Sequence, residues 1–170
     1  MSNSPNVLVT GVKGFVGRTL RGRVASFPKF EVAGAVRSGA QAGDFDVGNL
    51  NDQTNWQQPL EGRDVVIHTA ARAHIMKDEV PDPLAEYRKV NVDGTLNLAR
   101  QAAEVGVRRF VFISSIKVNG EQTLLNQPFT AKDTPAPEDA YGISKMEAEQ
   151  GLQALAAETG MEVVLSLIHI

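Results

Sequence analysis

Short runs of β-branched and aromatic residues alternate along the chain with longer segments of helical period, and this alternation constrains the fold more than any other feature. The spacing predicts strands at Asn6–Thr10, Glu31–Val36, Phe45–Val47, Asp64–His68, Arg109–Ser114 and Glu162–Leu165. Several are apolar throughout, as strands are when helices cover both faces. Helices are predicted at Gly14–Ser26, Pro83–Val105 and Ala140–Thr159. The second carries Leu84, Tyr87, Val90, Leu96, Leu98, Ala99 and Ala102, with Gly106 as a stop. The third is entered through "TPAPEDA" and closed by Gly160. Such β-α-β alternation implies the α/β class, with a doubly wound parallel sheet. At 170 residues, one domain is expected.

Charge narrows what such a sheet can hold. The chain is 42% hydrophobic and 22% charged, which is ordinary for a globular domain and unlike a disordered or fibrous one. Its net charge of −3 and isoelectric point of about 5.6 offer no basic footprint, so neither nucleic acid nor an anionic membrane is an expected partner. An anionic ligand must then be held locally. The absence of cysteine excludes disulfides, zinc–thiolate centres and thiol catalysis within this sequence. The opening "MSNSPNVLVTG" lacks a basic segment followed by an apolar one, and no apolar run approaches the roughly 20 residues of a spanning helix. A cytoplasmic chain is expected.

"VLVTGVKGFVGRTL" answers the question of local anion binding. Gly11, Gly14 and Gly17 follow the first strand and run into a helix. The first suits a tight turn, the second lets backbone approach a pyrophosphate, and the third lets helix pack closely on strand. Phosphates would rest on the helix N-terminus, where free N–H groups and the dipole favour an anion. A plain tight strand-to-helix turn would also use glycines, but the position of this one at the first strand favours a dinucleotide. After the second strand "AGAVRSG" offers Arg37 and Ser38 and no acid. A base there favours a ribose 2′-phosphate, so NADP is favoured over NAD, although an arginine at a strand end can equally be a solvated charge.

"DAYGISKMEAE" puts Tyr141 and Lys145 one helical turn apart on a shared face. A phenol with a pKa of about 10 is a poor proton carrier at neutral pH, and a nearby ammonium with an oxidised nicotinamide would favour its phenolate. Tyr141 could then act as general acid and base. Tyr-x-x-x-Lys also recurs by chance on amphipathic helices. "RFVFISSIKVNG" ends a buried strand with Ser114 and Ser115 at the carboxyl edge, where open parallel sheets bind ligands. A hydroxyl there can bond the substrate oxygen that Tyr141 protonates, or it can simply end a strand. His68 and His74 invite a metal reading, but no acid or third histidine stands at ligand spacing, and no metal is expected.

Together "VLVTGVKGFVG", "DVVIHTAAR", "YRKVNVDGTLNLARQA", "RRFVFISSIKVNG" and "AYGISKMEAEQ" resemble an extended short-chain dehydrogenase/reductase, the NAD-dependent epimerase/dehydratase family, over Val7 to Val164. The combination "HTAARAHIM", "SSIKVNGE" and "APEDAYGISK" is most similar to bacterial UDP-sugar 4-epimerase-like proteins and 4-keto-sugar reductases of surface-polysaccharide (lipopolysaccharide) synthesis. The resemblance implies a Rossmann-type sheet, an NAD(P)-binding domain over residues 1–164, and a nucleotide-sugar substrate, with hydride transfer at the sugar C4. It makes Ser115 the catalytic hydroxyl, Tyr141 the acid/base, and Lys145 the residue that binds the nicotinamide ribose and lowers the tyrosine pKa. Gly11, Gly14, Phe15, Val16, Gly17, Arg37, Asn49, Leu50, Ala70, Ala71, Arg72, Asn91 and Ser114 would line the cofactor with Tyr141 and Lys145. Asn49 stands where the family usually has an aspartate beside the adenine, and Asn91 resembles a helix asparagine of structural rather than chemical use. A homodimer through the two long helices is also implied. The same residues serve an epimerase and a reductase, and do not separate them. A non-catalytic nucleotide-sensing module is the alternative from another class, against which the trio Ser115, Tyr141 and Lys145 speaks.

Family members continue from the last strand into an arginine–proline loop and a smaller C-terminal substrate domain, and from Leu165 the resemblance stops. "LSLIHI" is also the translation of CTGTCTCTTATACACATC, a transposon end used to prepare sequencing libraries. The expectation is therefore that Leu165–Ile170 derive from that reagent, that the fold is truncated before the substrate domain, and that this piece is inactive alone.

Overall fold

The computed structural model describes residues 4–73, 80–123 and 125–168. Six strands, β1 (Asn6–Thr10), β2 (Glu31–Val36), β3 (Phe45–Asp46), β4 (Val65–His68), β5 (Arg109–Ser115) and β6 (Glu162–Ile168), form one sheet in the order β3-β2-β1-β4-β5-β6. Every neighbouring pair is parallel. The chain winds outward from β1 to β3, returns to the other side of β1, and winds outward again to β6. The crevice beyond the carboxyl ends of β1 and β4, where this order reverses, is the ligand position of such sheets.

The sheet separates two apolar layers. On one face Leu8, Val66, Phe110 and Phe112 pack with Leu98, Ala99, Ala148 and Leu152. These helix residues belong to α4 (Thr95–Glu104) and α5 (Ala140–Thr159). On the other face Val7, Val9, Val12 and Val36 pack with Val24 of α1 (Phe15–Ala25). The predicted strands are recovered within one residue, except that β6 continues through Ile168, which pairs with Ser115. Leu165 packs on the core while Val164 and Leu167 remain exposed at 43% and 40%. An alternating apolar sequence of any origin extends an edge strand in this way. His169 and Ile170 lie outside the described residues.

The helix predicted at Pro83–Val105 is continuous but not uniform. It runs as α3 (Pro83–Tyr87), a π-helical stretch (Arg88–Gly94) and then α4. The wide turn coincides with Asn91, whose carboxamide accepts from the Arg72 N–H at 2.8 Å and donates to the Arg72 carbonyl at 3.1 Å and to Ser144 Oγ at 3.0 Å. Tertiary contacts of this kind stabilise a π turn that periodicity does not announce. The third helix matches its prediction, with the Asp139 carboxylate accepting from the Gly142 N–H at 2.6 Å and Gly160 closing the C-terminus at φ +76°. A short helix, α2 (Gln57–Leu60), and a 3₁₀ turn at Ile116–Val118 were not anticipated. Among the described residues no helix is long and apolar enough to cross a membrane.

Candidate active site

The glycine turn closes as the sequence implied. Gly11 has φ +69°, a left-handed conformation that an L side chain rarely adopts, and a Cβ there would lie 2.8 Å from the Ala70 nitrogen. Gly17 is the tighter position: its Cβ would fall 2.2 Å from the Gly11 carbonyl oxygen. Gly14 takes the N-cap position of α1 without a side-chain cap, so the first N–H groups of the helix point into the crevice free of an internal competitor.

Two cavities meet at this turn and share Gly14, Thr69 and Ala71. The first, of about 850 Å³, runs along the ends of β1 and β2 and is lined by Gly11, Arg37, Asn49, Leu50, Ala70 and Arg72 among others. The second, of about 520 Å³, lies over the end of β5. Phe15, Val16, Gly17, Ser114, Ser115, Tyr141 and Lys145 line it, with Ile168 at its margin. The two together form one crevice that passes over the glycine turn. Every predicted cofactor-lining residue borders one cavity or the other except Asn91. Asn91 is buried at 1% exposure and holds the Arg72 backbone from behind, a long-range arrangement in keeping with a structural use.

Ser115, Tyr141 and Lys145 converge on the second cavity from different elements. Ser115 ends β5 and accepts from the Lys117 N–H at 3.3 Å, and it lines the same cavity as the Tyr141 phenol. Tyr141 opens α5 and packs edge-on against Tyr87 with ring centroids 6.0 Å apart. Lys145 is almost wholly buried, its Nζ donating to the Ile113 carbonyl at 2.8 Å and lying 3.7 Å from the centroid of the Phe112 ring. Burial pulls its pKa down to about 7, with Glu149 opposing that shift.

Burial raises the Tyr141 pKa above 10, while Ser115 and Lys117 act to lower it. Lys145 Nζ is spent on a backbone carbonyl and an aromatic face, whereas Lys117 is held beside the helix entrance by Asp139 at 2.8 Å and Glu121 at 2.6 Å. Lys117 was missed because a lysine in a strand-to-helix loop carries no spacing signal. Lys13 was missed too: its Nζ donates to the Ser38 and Gly39 carbonyls at 2.7 Å each, placing a second cation beside Arg37 in the first cavity.

His68 serves the scaffold. Its ring bonds Thr10 Oγ1 at 2.7 Å and Thr95 Oγ1 at 3.0 Å and stacks on Phe112. His74 lies outside the described residues. Complete burial, followed by Lys145, lowers the His68 pKa from 6.5 to about 3, so the folded state holds the neutral ring. The sign follows directly: this stability is fully present above pH 6.5 and is lost as pH falls toward 3. Urea titrations at pH 7 and pH 4 should differ by roughly 3 kcal/mol from this group alone. A His68→Asn variant, less stable at pH 7, should lose distinctly less on acidification; an equal loss would remove His68 as the cause.

Comparison with known proteins agrees with this geometry. The model of the NAD dependent epimerase/dehydratase family matches residues 7–168. The chain is 50% identical over 163 residues to a UDP-glucose 4-epimerase of Vibrio cholerae, covering 94% of this chain and 50% of that protein. It is 33% identical over 166 residues to the N-acetyl-alpha-D-glucosaminyl-diphospho-ditrans,octacis-undecaprenol 4-epimerase of Escherichia coli O157:H7, covering 96% and 47%. Among solved structures, a short-chain dehydrogenase/reductase superfamily protein of Agrobacterium tumefaciens with bound NAD superposes with a TM-score of 0.79 at 30% identity, covering 94% of this chain and 48% of that one. The complex of MoeE5 with UDP-glucuronic acid and NAD gives a TM-score of 0.79 at 28% identity, covering 94% and 52%. The chain thus spans about half the length of the relatives it matches. With its switch-point crevice, its glycine cradle and this match over nearly its whole length, the chain belongs to the NAD-dependent epimerase/dehydratase family of the short-chain dehydrogenases/reductases.

Proposed function

We propose that the protein interconverts or reduces a nucleotide-sugar, most simply a UDP-sugar, at C4, acting as an epimerase or a 4-keto reductase in bacterial surface-polysaccharide synthesis. The observation that carries this reading is the meeting of Ser115, Tyr141 and Lys145 in a cavity continuous with the glycine cradle. The turn at Gly11, Gly14 and Gly17 would hold a dinucleotide pyrophosphate against the N-terminus of α1, and the cavity lined by Arg37, Asn49 and Leu50 would hold its adenosine. A bound nicotinamide would supply the hydride acceptor and donor.

The chain's own residues handle position and proton. Tyr141 Oη takes the proton of the sugar hydroxyl on oxidation and returns it on reduction. Ser115 Oγ donates to the same substrate oxygen and steers the phenol toward it. Lys145 Nζ holds the nicotinamide ribose hydroxyls. Since burial raises the Tyr141 pKa, the proton-accepting state needs positive charge close by, which Lys117 supplies in part and an oxidised nicotinamide would complete.

Residues 1–164 are read as the dinucleotide-binding domain. Because the matched relatives are about twice as long, this chain alone should bind dinucleotide weakly and turn over little. A second copy of the chain is the proposed partner, docking through the Pro83–Glu104 helix and α5. The deciding assay uses a chain extended as the source gene reads beyond the Val164 codon, incubated with UDP-sugars and followed by proton NMR and absorbance at 340 nm. Epimerised sugar without net absorbance change marks an epimerase; product in step with NADPH loss marks a reductase. Neither, with the dinucleotide bound, would leave a nucleotide-sensing module.

The cofactor preference carries its own prediction. Lys13 and Arg37 flank the first cavity at the end of β2, the place where a 2′-phosphate would sit, so NADP is favoured. Arg37→Asp should move the ratio of the two dissociation constants toward NAD by about tenfold or more, the value of one charged hydrogen bond. An unchanged ratio in fluorescence titration would make Arg37 a solvated charge only.

A further inference from the structure

The face of α5 that carries Tyr141 and Lys145 carries a third ionisable group at the same spacing, Glu149. Lys145 is 2% exposed and Glu149 9%, so the two stand in the interior. Beneath them runs β5, whose Phe112 ring and Ile113 carbonyl hold the Lys145 ammonium and whose Ser114 hydroxyl faces the Glu149 carboxylate. Ser114 Oγ and Glu149 Oε1 approach without closing a hydrogen bond, and both are buried with no other partner.

An open carboxylate oxygen in the interior is costly, and an apolar side chain at position 149 would avoid that cost. Burial pushes Glu149 toward its neutral form, while Ser114 and Lys145 favour the charged one. The same burial acts on Lys145 in the opposite sense, and Glu149 is the group that restores its charge. Among the described residues the surroundings offer no substitute. From β4, His68 faces Lys145 as a neutral ring. Lys117, from the 3₁₀ turn, and Asp139 face Tyr141. Tyr87 packs on Tyr141, and from the π-helical stretch Arg88 is engaged by Glu147 near the surface.

We propose that Glu149 is a positioning residue: from one helical turn behind Lys145, buried against β5 beside Ser114, its carboxylate keeps the Lys145 side chain an ammonium seated over Phe112. The ribose hydroxyls would then meet a full donor set rather than a neutral amine. The inference rests on Lys145 being the ribose-binding residue, but the coupling itself can be read without turnover.

Carbon-13 labelling of the lysine ε-positions in this chain gives one resonance per lysine, with Lys145 assigned by its loss in Lys145→Met. In Glu149→Gln the Lys145 titration should move down by roughly one unit. Glu149→Asp, which keeps the charge, should restore most of it. A Lys145 titration that is the same in Glu149→Gln as in the unaltered chain overturns the proposal. If Glu149→Gln does not fold, the unaltered chain decides: the Glu149 carboxyl carbon must report the Lys145 titration as a second inflection, and its absence overturns the proposal equally. In the extended, active chain Glu149→Gln should shift the alkaline limb of kcat to lower pH, because an ammonium of lower pKa is lost earlier. Coupling by NMR with an unmoved limb would keep Glu149 in this role and remove Lys145 from ribose binding.

Discussion

Tyr141→Phe in the extended chain should lower kcat by roughly 10²–10⁴-fold, the usual worth of a positioned acid/base, while dinucleotide binding survives. The two effects separate because the ring and the hydroxyl do different things. The ring packs on Tyr87, and phenylalanine keeps that contact. The hydroxyl is the group that carries the proton in the cavity shared with Ser115, and Phe deletes it. The measurement is stopped-flow turnover beside fluorescence titration of the dinucleotide. A kcat within tenfold of the unaltered protein would sink the catalytic reading; loss of dinucleotide binding would instead make Tyr141 a structural residue of the crevice.

The direction of the Tyr141 pKa makes this more than a restatement of the motif. A half-buried phenol whose pKa burial has raised is a competent acid and a reluctant base. Oxidation of a sugar hydroxyl therefore needs added positive charge, whereas reduction of a keto-sugar does not. Lys117 acts in that direction, and its ion pairs with Asp139 and Glu121 hold it at the entrance of α5.

The parts of the site that were legible in the sequence are those where function depends on local geometry. A tight turn demands glycine, and Gly11, Gly14 and Gly17 could be read from that demand alone. Helical spacing places Tyr141 and Lys145 on one face without knowledge of any neighbour. The parts that were not legible depend on contacts distant in sequence. Asn91 holds Arg72 across 19 residues and Ser144 across 53, and only folding shows that it stands behind the crevice. Lys13 reaches carbonyls 25 and 26 residues away. Glu149 reads as one more acid on an amphipathic helix until the fold puts it against β5. The seat of Lys145 was hidden for the same reason: spacing brings two side chains to one face, but Phe112 and the Ile113 carbonyl decide where the ammonium ends.

Two glycines on one helix test the cradle itself. Gly17 and Gly22 both lie in α1, and helix propensity alone predicts that alanine stabilises either by roughly 0.5–1 kcal/mol. The structure separates them. A Cβ at Gly22 meets nothing within 4 Å. At Gly17 it would stand 2.2 Å from the Gly11 carbonyl oxygen, part of the turn itself, and 2.7 Å from Thr69 Oγ1, which follows β4 and donates to the Thr10 carbonyl. The Gly11 oxygen accepts from the Gly14 N–H at 2.8 Å, so it cannot retreat without opening the turn. Gly17→Val should therefore destabilise the domain by roughly 3 kcal/mol or more and abolish dinucleotide binding, while Gly22→Ala should hold or raise the denaturation midpoint and leave binding unchanged. Urea denaturation with dinucleotide titration on both variants decides the matter. If Gly17→Val binds normally, the close contact of α1 with the turn is not what shapes the crevice, and the helix N-terminus loses its place as the anion site.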